Sequence, residues 1–343
     1  MIMPSFLRVI LLNLLLTAAV AETPVTFEGT IQKHIPQSKR SWIQLLRINF
    51  SPRAHQKILN HLEQLEIASN QDNTAHKHIN LGMNNVPTLN QGSHGSCVTF
   101  ALTAAIDALI GQGDYVSQLC LLTLGQYLHQ HSFAYSGWEG ISPKDQATRI
   151  LEHGIINKTT QITKGCGGLN QYPLISIDPD NEMSLQDYKE KTEDINELTT
   201  FDTSSLLDIY QFLLEESPRK NILAEVKSSL EQGDRLAIAS IIIADENLSL
   251  WGKYHQDNDS WVYLPELKNA FESLEDISSH ELIIIGYDDD ASIIDKYGES
   301  HQGILILRNS WGPNAGDHGD FYMSYDYFNA FVFDVLRIRN LDL

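Results

Sequence analysis

The sequence predicts an α+β protein in which a helical lobe is followed by a strand-rich lobe, with a cleft between the two. Two observations carry this. The segment from Cys97 to Ile110 is apolar on every side of a helical wheel, with Asp107 its one charge, and a helix apolar all round is a buried one. In the second half, Leu236 to Ile243, Leu282 to Tyr287, Gly303 to Leu307 and Val332 to Ile338 are short β-branched runs bounded by Gly, Asp or Asn, which reads as strands.

In chain order, the first residues carry one positive charge, Arg8, then an apolar run from Val9 to Leu16 broken by Asn13, then Ala19-Val20-Ala21 before Glu22. That order predicts a secretory signal peptide over 1–21 and an exported protein, extracellular or periplasmic. The apolar part is far short of the ~20 residues a membrane-spanning helix needs, so no membrane partner is expected. From Glu22 to Ile35 partial alternation predicts a short hairpin, and Ser51-Pro52 opens a helix with Ile58, Leu59, Leu62 and Leu65 on one side. A polar stretch from Ser69 to His78 reads as a linker, making 22–78 a separable N-terminal unit and 79–343 the main domain. Helical pattern recurs through Leu119 to Leu128 and Pro143 to Glu152, and the acidic stretch Asp178 to Asp202 reads as an insertion or surface loop. There is no internal repeat and no low-complexity tract.

Composition narrows the function. The formal charge of −20, from 24 Lys and Arg against 44 Asp and Glu, argues against nucleic acid, because phosphate binding is supplied by Lys and Arg. An exported chain meets an oxidising compartment, yet there are only three cysteines, Cys97, Cys120 and Cys166, so one must stay unpaired. Cys97 follows Gly95-Ser96 and starts the buried helix. A thiol becomes a nucleophile when a helix N-terminus and a neighbouring imidazolium favour its thiolate, and it is otherwise a small buried hydrophobe. A nucleophilic Cys97 needs a base and a group to orient that base. His280, just before the strand Leu282 to Tyr287, and Asn309, just after the strand ending at Arg308, fit those roles.

Together these residues resemble the papain family of cysteine peptidases. Gln91 and Gly92 precede Cys97 with the family's spacing, six residues from Gln91 to the nucleophile; His280 opens a strand ending in Gly286-Tyr287; and Asn309-Ser310-Trp311-Gly312 is the family's Asn-Ser-Trp-Gly block, followed by a Gly-containing strand at Gly319 to Tyr322. The resemblance covers roughly Val86 to Phe328, with insertions that separate Cys97 from His280 by 183 residues, more than the ~130–150 usual for the family. It implies a two-lobed fold whose second lobe is an antiparallel, β-barrel-like one, and a peptidase acting on peptide or protein substrates without a cofactor. It also implies roles: Cys97 as nucleophile, His280 as general base and then acid, Asn309 orienting His280, Gln91 donating to the oxyanion with the Cys97 N–H, and Trp311 shielding the His280–Asn309 hydrogen bond.

Departures from the family pattern generate further expectations. Where the family has a disulfide beside the nucleophile, this chain has His94 and, by the match of Gly137-Trp138-Glu139-Gly140, Trp138, so a repacked lobe with the two rings in contact is expected. By the same match Gly140 lies beside the substrate backbone. With Cys97 free, Cys120 and Cys166 are expected to form a disulfide, although Cys120 sits in a helical pattern and core packing is the alternative. The resemblance makes 22–78 a pro-segment, an intramolecular inhibitor of a zymogen, with a permanent accessory subdomain as the alternative. His129 with His131, and Asp288-Asp289-Asp290, lack a second half at ligand spacing and read as solvated surface, so no metal is expected. Two other functions stay open: a catalytically quiet binding or effector protein on the same fold, and a cysteine acyltransferase or transglutaminase-like enzyme.

Overall fold

The computed structural model describes residues 23–35, 42–67, 77–132, 134–175, 181–216, 218–274 and 276–341. The expected signal peptide, 1–21, and most of the expected linker, 69–76, lie outside the described residues. The chain begins with a hairpin, β1 (Val25–His34) and β2 (Trp42–Phe50), then α1 (Pro52–Ile67) and a short β3 (His78–Asn80). The helical part follows: α2 (Cys97–Ile110), α3 (Gln118–His131), α4 (Pro143–His153), α5 (Lys158–Lys164) and α6 (Leu185–Lys189). Then come β4 (Phe201–Leu207), α7 (Ile209–Leu214), α8 (Leu223–Glu231), β5 (Arg235–Ile243), β6 (Gly252–Lys253), β7 (Ser260–Trp261) and α9 (Pro265–Glu272). The chain ends with β8 (Ile277–Asp295), β9 (Ser300–Arg308), β10 (Asp320–Ser324), α10 (Tyr325–Phe331) and β11 (Val332–Asn340).

The α+β class holds, and the helix and strands expected from periodicity form where the pattern places them. The second lobe is barrel-like in part, since β8, β6, β7, β10 and β9 close on one another through the β8–β9 ladder, but the sheet as a whole stays open. The strands make one sheet in the order β4-β11-β5-β8-β6-β7-β10-β9, with β1, β2 and β3 attached through β8. As a whole it is not a closed barrel, since among the described residues β4 pairs only with β11 and β1 only with β2, and the sheet is not wholly antiparallel because β10 and β7 run parallel. The reason lies in β8, a 19-residue strand that bends through irregularities in its ladder with β9 and serves several neighbours along its length. Gly286 is one of its necessary points: an added Cβ there would lie 2.3 Å from the Ile79 carbonyl oxygen of β3.

Two cores share the sheet. One face packs on α2 and α3, which are buried around Ala105, Leu119 and Leu122; the other packs on α1, α9 and α10 around Leu62, Phe271 and Phe331. Asp107, the lone charge of α2, is fully buried and accepts the backbone N–H groups of Tyr115 and Val116, at 3.1 and 2.9 Å, tying the following loop to the helix. Cys120 on α3 and Cys166 after α5 are joined by a disulfide, Cα to Cα 5.1 Å. The acidic stretch taken for an insertion or surface loop instead contributes to the helical core: Met183, Tyr188 and Ile195 are 0–2% exposed. Their apolar side chains are spaced too widely among charges to read as a helix face.

The N-terminal unit has the helix expected, with Ser51 accepting the Ala54 N–H at the start of α1, but the stretch 22–35 expected to be a whole hairpin holds the single strand β1, and its partner is β2. Its apolar residues Ile43, Leu45, Ile58 and Leu62 lie in the same core as Phe271 and Phe331. His55 and His61 of α1 bond the carbonyls of Phe271 and Asn329 at 2.9 and 2.8 Å, and β2 pairs with β8 at Leu46↔Ser279 and Arg47↔Ser278.

Candidate active site

Cys97 is the first residue of α2, 6% exposed, and the one free cysteine among the described residues. The helix starts here because Gly95-Ser96 ends the loop and every following residue is apolar or small, which buries the first turn against β8 and β5. The backbone N–H groups of Cys97 and Val98 and the backbone of Glu281 bond toward the sulfur. The thiol therefore meets the positive end of a helix on one side and strand β8 on the other.

On β8, His280 is 1% exposed and its Nε2 donates to Asn309 Oδ1 at 2.8 Å. Asn309 follows the last residue of β9 and is held there by its N–H on the Gly319 carbonyl, 3.0 Å, while its Oδ1 also accepts the Ser310 N–H at 2.7 Å. The pairing Ile283↔Arg308, continued three residues past the end of β9, sets Trp311 across from His280. The two rings stack with centroids 4.6 Å apart and 26° between planes. With Nε2 engaged, Nδ1 of His280 is buried without a partner. Trp311 is itself 3% exposed, so the His280–Asn309 bond is dry.

Gln91 is fully buried and tied to the same turn: its N–H donates to the Ser310 carbonyl at 2.8 Å and its Oε1 accepts the Ser310 hydroxyl at 2.7 Å. Its Nε2 donates to the His94 carbonyl at 2.8 Å, which leaves one of the two amide hydrogens for another acceptor. His94 and Trp138 meet as expected, edge to face at 4.9 Å rather than face to face. Sequence reading missed the third member. Tyr172 stacks on Trp138 at 5.6 Å and 17°, touches His94 and Phe100 edge-on, and bonds through its hydroxyl to the Gln91 carbonyl and Ser96. This cluster braces the loop from Gln91 to Ser96, where a disulfide would otherwise do so; a lone Tyr in Gln171-Tyr172-Pro173 carries no local signal of it.

Cys97 and Gly140 line one cavity of about 430 Å³. Gly140 has φ 109°, a conformation that favours glycine, and an added Cβ would lie 2.5 Å from Leu46 Cδ2. The N-terminal hairpin thus reaches the cavity: Phe27, Leu46 and Ile48 line it together with Cys97. Five acids line it as well, Glu139, Asp145 and Asp208 together with Glu281 from β8 and Asp334 from β11, and the last two were not singled out by the sequence. A Glu directly after His280, in a run otherwise of Leu and Ile, was the available signal.

Burial sets the protonation states. It pushes the Cys97 thiol up to about 12, against the opposing bonds from the Glu281, Val98 and Cys97 backbone. It pulls His280 down to about 4, opposed by the hydrogen bond to Asn309. Burial thus favours the neutral form of both the thiol and the imidazole. Glu281 is driven well above the usual carboxyl range by burial and by Asp334, and Asp334 is raised to about 7 by burial and by Asp208.

The metal-like fragments are dispersed. His129 and His131 bond the Ala134 and Tyr127 carbonyls, Asp288 pairs with His78, and Asp289 pairs with Lys227. Among the described residues no group of three or more His, Cys, Asp and Glu is arranged to hold a metal ion, and no helix is long and apolar enough to cross a membrane.

Comparison with known proteins adds the following. No curated protein sequence matches the chain. Among solved structures, xylellain, a cysteine protease from Xylella fastidiosa, is similar at 16% identity and a TM-score of 0.47, over 80% of this chain and 91% of that one. The proform of the Amb a 11 cysteine protease, a ragweed pollen allergen, is similar at 15% identity and 0.46, over 77% and 66%. Digestive procathepsin L 3 of Tenebrio molitor larval midgut is similar at 16% identity and 0.44, over 84% and 79%. The model of the Peptidase C1-like family matches residues 268–341. That stretch holds His280, Asn309 and Trp311, so over it the chain is similar to the Peptidase C1-like family.

Proposed function

We propose that the protein is an exported cysteine endopeptidase, made as a zymogen, that hydrolyses peptide bonds through Cys97, His280 and Asn309. The observation that carries this is the His280 Nε2–Asn309 Oδ1 bond of 2.8 Å under Trp311, which fixes the imidazole and leaves a lone pair on Nδ1; Cys97 is at the start of a buried helix packed on the same strand. In the reaction His280 Nδ1 takes the Cys97 proton and the thiolate attacks the peptide carbonyl. The oxyanion forms toward the Cys97 N–H and the spare amide hydrogen of Gln91, each donor of this kind contributing ~3–4 kcal/mol. The imidazolium returns the proton to the leaving amine, and water then hydrolyses the thioester with His280 again as base. Gly140 leaves room for the substrate backbone.

The zymogen reading rests on the hairpin. Leu46 sits against Gly140, β2 occupies the β8 edge next to His280, and the resulting dryness holds thiol and imidazole neutral. Release of residues 22–78 lets water and substrate in and allows the thiolate–imidazolium pair to form. A thiol-directed peptidyl inhibitor tests the whole: a single adduct on Cys97, lost in His280→Ala, is expected from chain freed of its N-terminal segment. No preferential labelling of Cys97 in that material would leave a binding protein on a peptidase fold. Product analysis with added amines separates hydrolysis from acyl transfer.

A further inference from the structure

The cavity beside Cys97 has an acidic wall that the hydrolytic scheme does not use. Glu281 is 2% exposed, lines the cavity, and neither of its carboxyl oxygens has a hydrogen-bond partner. It stands there because β8 and β5 pair at Ala239↔Glu281 and Ser240↔His280, so the strand's alternation turns His280 to the Asn309 side and Glu281 to the side of α2. From β11, Asp334 comes to the same cavity and is close enough to act electrostatically on Glu281. Asp208, capping α7, acts on Asp334 in turn. Ile141, Ala239, Ile241 and Phe333 add apolar wall beside them, and Glu139, Asp145 and Asp208 line the same cavity. Lys144 lines the cavity too, yet the charges that bear on the two acids are those of other carboxyls.

A carboxyl taken out of water stays neutral unless a cation comes to it, and two carboxyls together make that more costly. The hairpin brings Phe27, Leu46 and Ile48, which cover apolar wall and leave Glu281 unmatched, while Asp334 has the Ile209 backbone as its partner. A guest with an alkyl stem and a cationic end would satisfy both parts. A guanidinium suits the pair better than an ammonium, because its planar fork can reach two carboxylates at once.

We infer that this cavity is the subsite for a cationic side chain of the peptide substrate, arginine above lysine, with Glu281 and Asp334 as its acceptors. The inference rests on the peptidase reading and adds the substrate class. Since Cys97 also lines the cavity, the selected residue lies close to the scissile bond.

The test is a set of peptides carrying arginine, its neutral isostere citrulline, leucine or glutamate at each position flanking the bond. They are assayed on the full-length chain, with limited proteolysis of the N-terminal segment where it restrains turnover. At one position arginine should exceed citrulline in kcat/KM by about tenfold or more, with glutamate the poorest. Glu281→Gln should reduce that ratio to near one, and Asp334→Asn should reduce it several-fold. Equal cleavage of arginine and citrulline peptides by the wild type at every position overturns the subsite while leaving the peptidase standing; this comparison needs no variant to fold. An arginine preference unchanged in both variants also overturns it. Cleavage of no peptide at all removes the peptidase reading and the subsite with it.

Discussion

Replacing Leu46 with aspartate should unlock Cys97 without touching the catalytic residues. Leu46 lies on Gly140, pairs with Ser279 and lines the cavity that holds Cys97, Glu281 and Asp334. While that cavity is closed, a thiol titrating at about 12 is ionised at pH 7 in about one molecule in 10⁵. An ordinary thiol near 8.5 is ionised in about one in 30, so the closed chain should alkylate ~3,000-fold more slowly than a free cysteine. The substitution removes a half-buried leucine, ~1–2 kcal/mol, and brings a further carboxylate to a cavity already lined by five acids, a penalty of similar size. A total of ~2–4 kcal/mol shifts the closed-to-open ratio by ~30- to 1,000-fold. Iodoacetamide labelling of Cys97 at pH 7, read by peptide mass, should accelerate by at least ~30-fold in Leu46→Asp. Leu46→Met should stay slow, and cooperative thermal unfolding should be retained in both. Wild-type labelling at the rate of a free thiol, or no acceleration in Leu46→Asp, would refute the occlusion.

In steady-state assays Cys97→Ala and His280→Ala should abolish turnover, while Asn309→Ala and Gln91→Ala should lower kcat by ~10- to 1,000-fold, since each removes a buried partner rather than a reacting group; wild-type rates in Cys97→Ala would end the peptidase reading. Removing the Cys120–Cys166 disulfide, which closes 46 residues, should cost roughly 4 kcal/mol in denaturant unfolding, and two further alkylatable thiols in unreduced protein would show that the bond is not formed. Burial depresses His61 of α1 to about 4, so its contribution to stability is whole above pH 6.5 and is lost as pH falls toward 4, by up to about 3 kcal/mol. Thermal unfolding between pH 7 and 4 should therefore fall more steeply in wild type than in His61→Gln, and parallel curves would exclude His61 as the cause.

Much of the site was legible because its parts are local. The all-apolar run after Cys97 can only be a buried helix, and Asn309-Ser310-Trp311-Gly312 after a β-branched run sits at a strand end whichever sheet receives it. Even the contact of Trp311 with His280 follows from antiparallel register once the two strands pair. The His94–Trp138 contact was legible as a joint departure from a family pattern, although its edge-to-face geometry and its third ring, Tyr172, were not.

What the sequence determined by itself is therefore the local parts: a cysteine at a helix start, a histidine in one strand, an asparagine at the end of the next, and the strand and helix periods that hold them. What the tertiary structure alone decided is which residues surround those parts. Leu46 meets Ser279 across 233 residues of chain, and Glu281 meets Asp334 across two strands, through β5, in the sheet. The physical reason is that periodicity records which face of an element is apolar, whereas sheet pairing joins edges by backbone hydrogen bonds that are the same for every residue. The acidic stretch from Asp178 to Asp202 makes the same point, since its buried Tyr188 and Ile195 are assigned to the core by the neighbours they meet and not by any pattern around them.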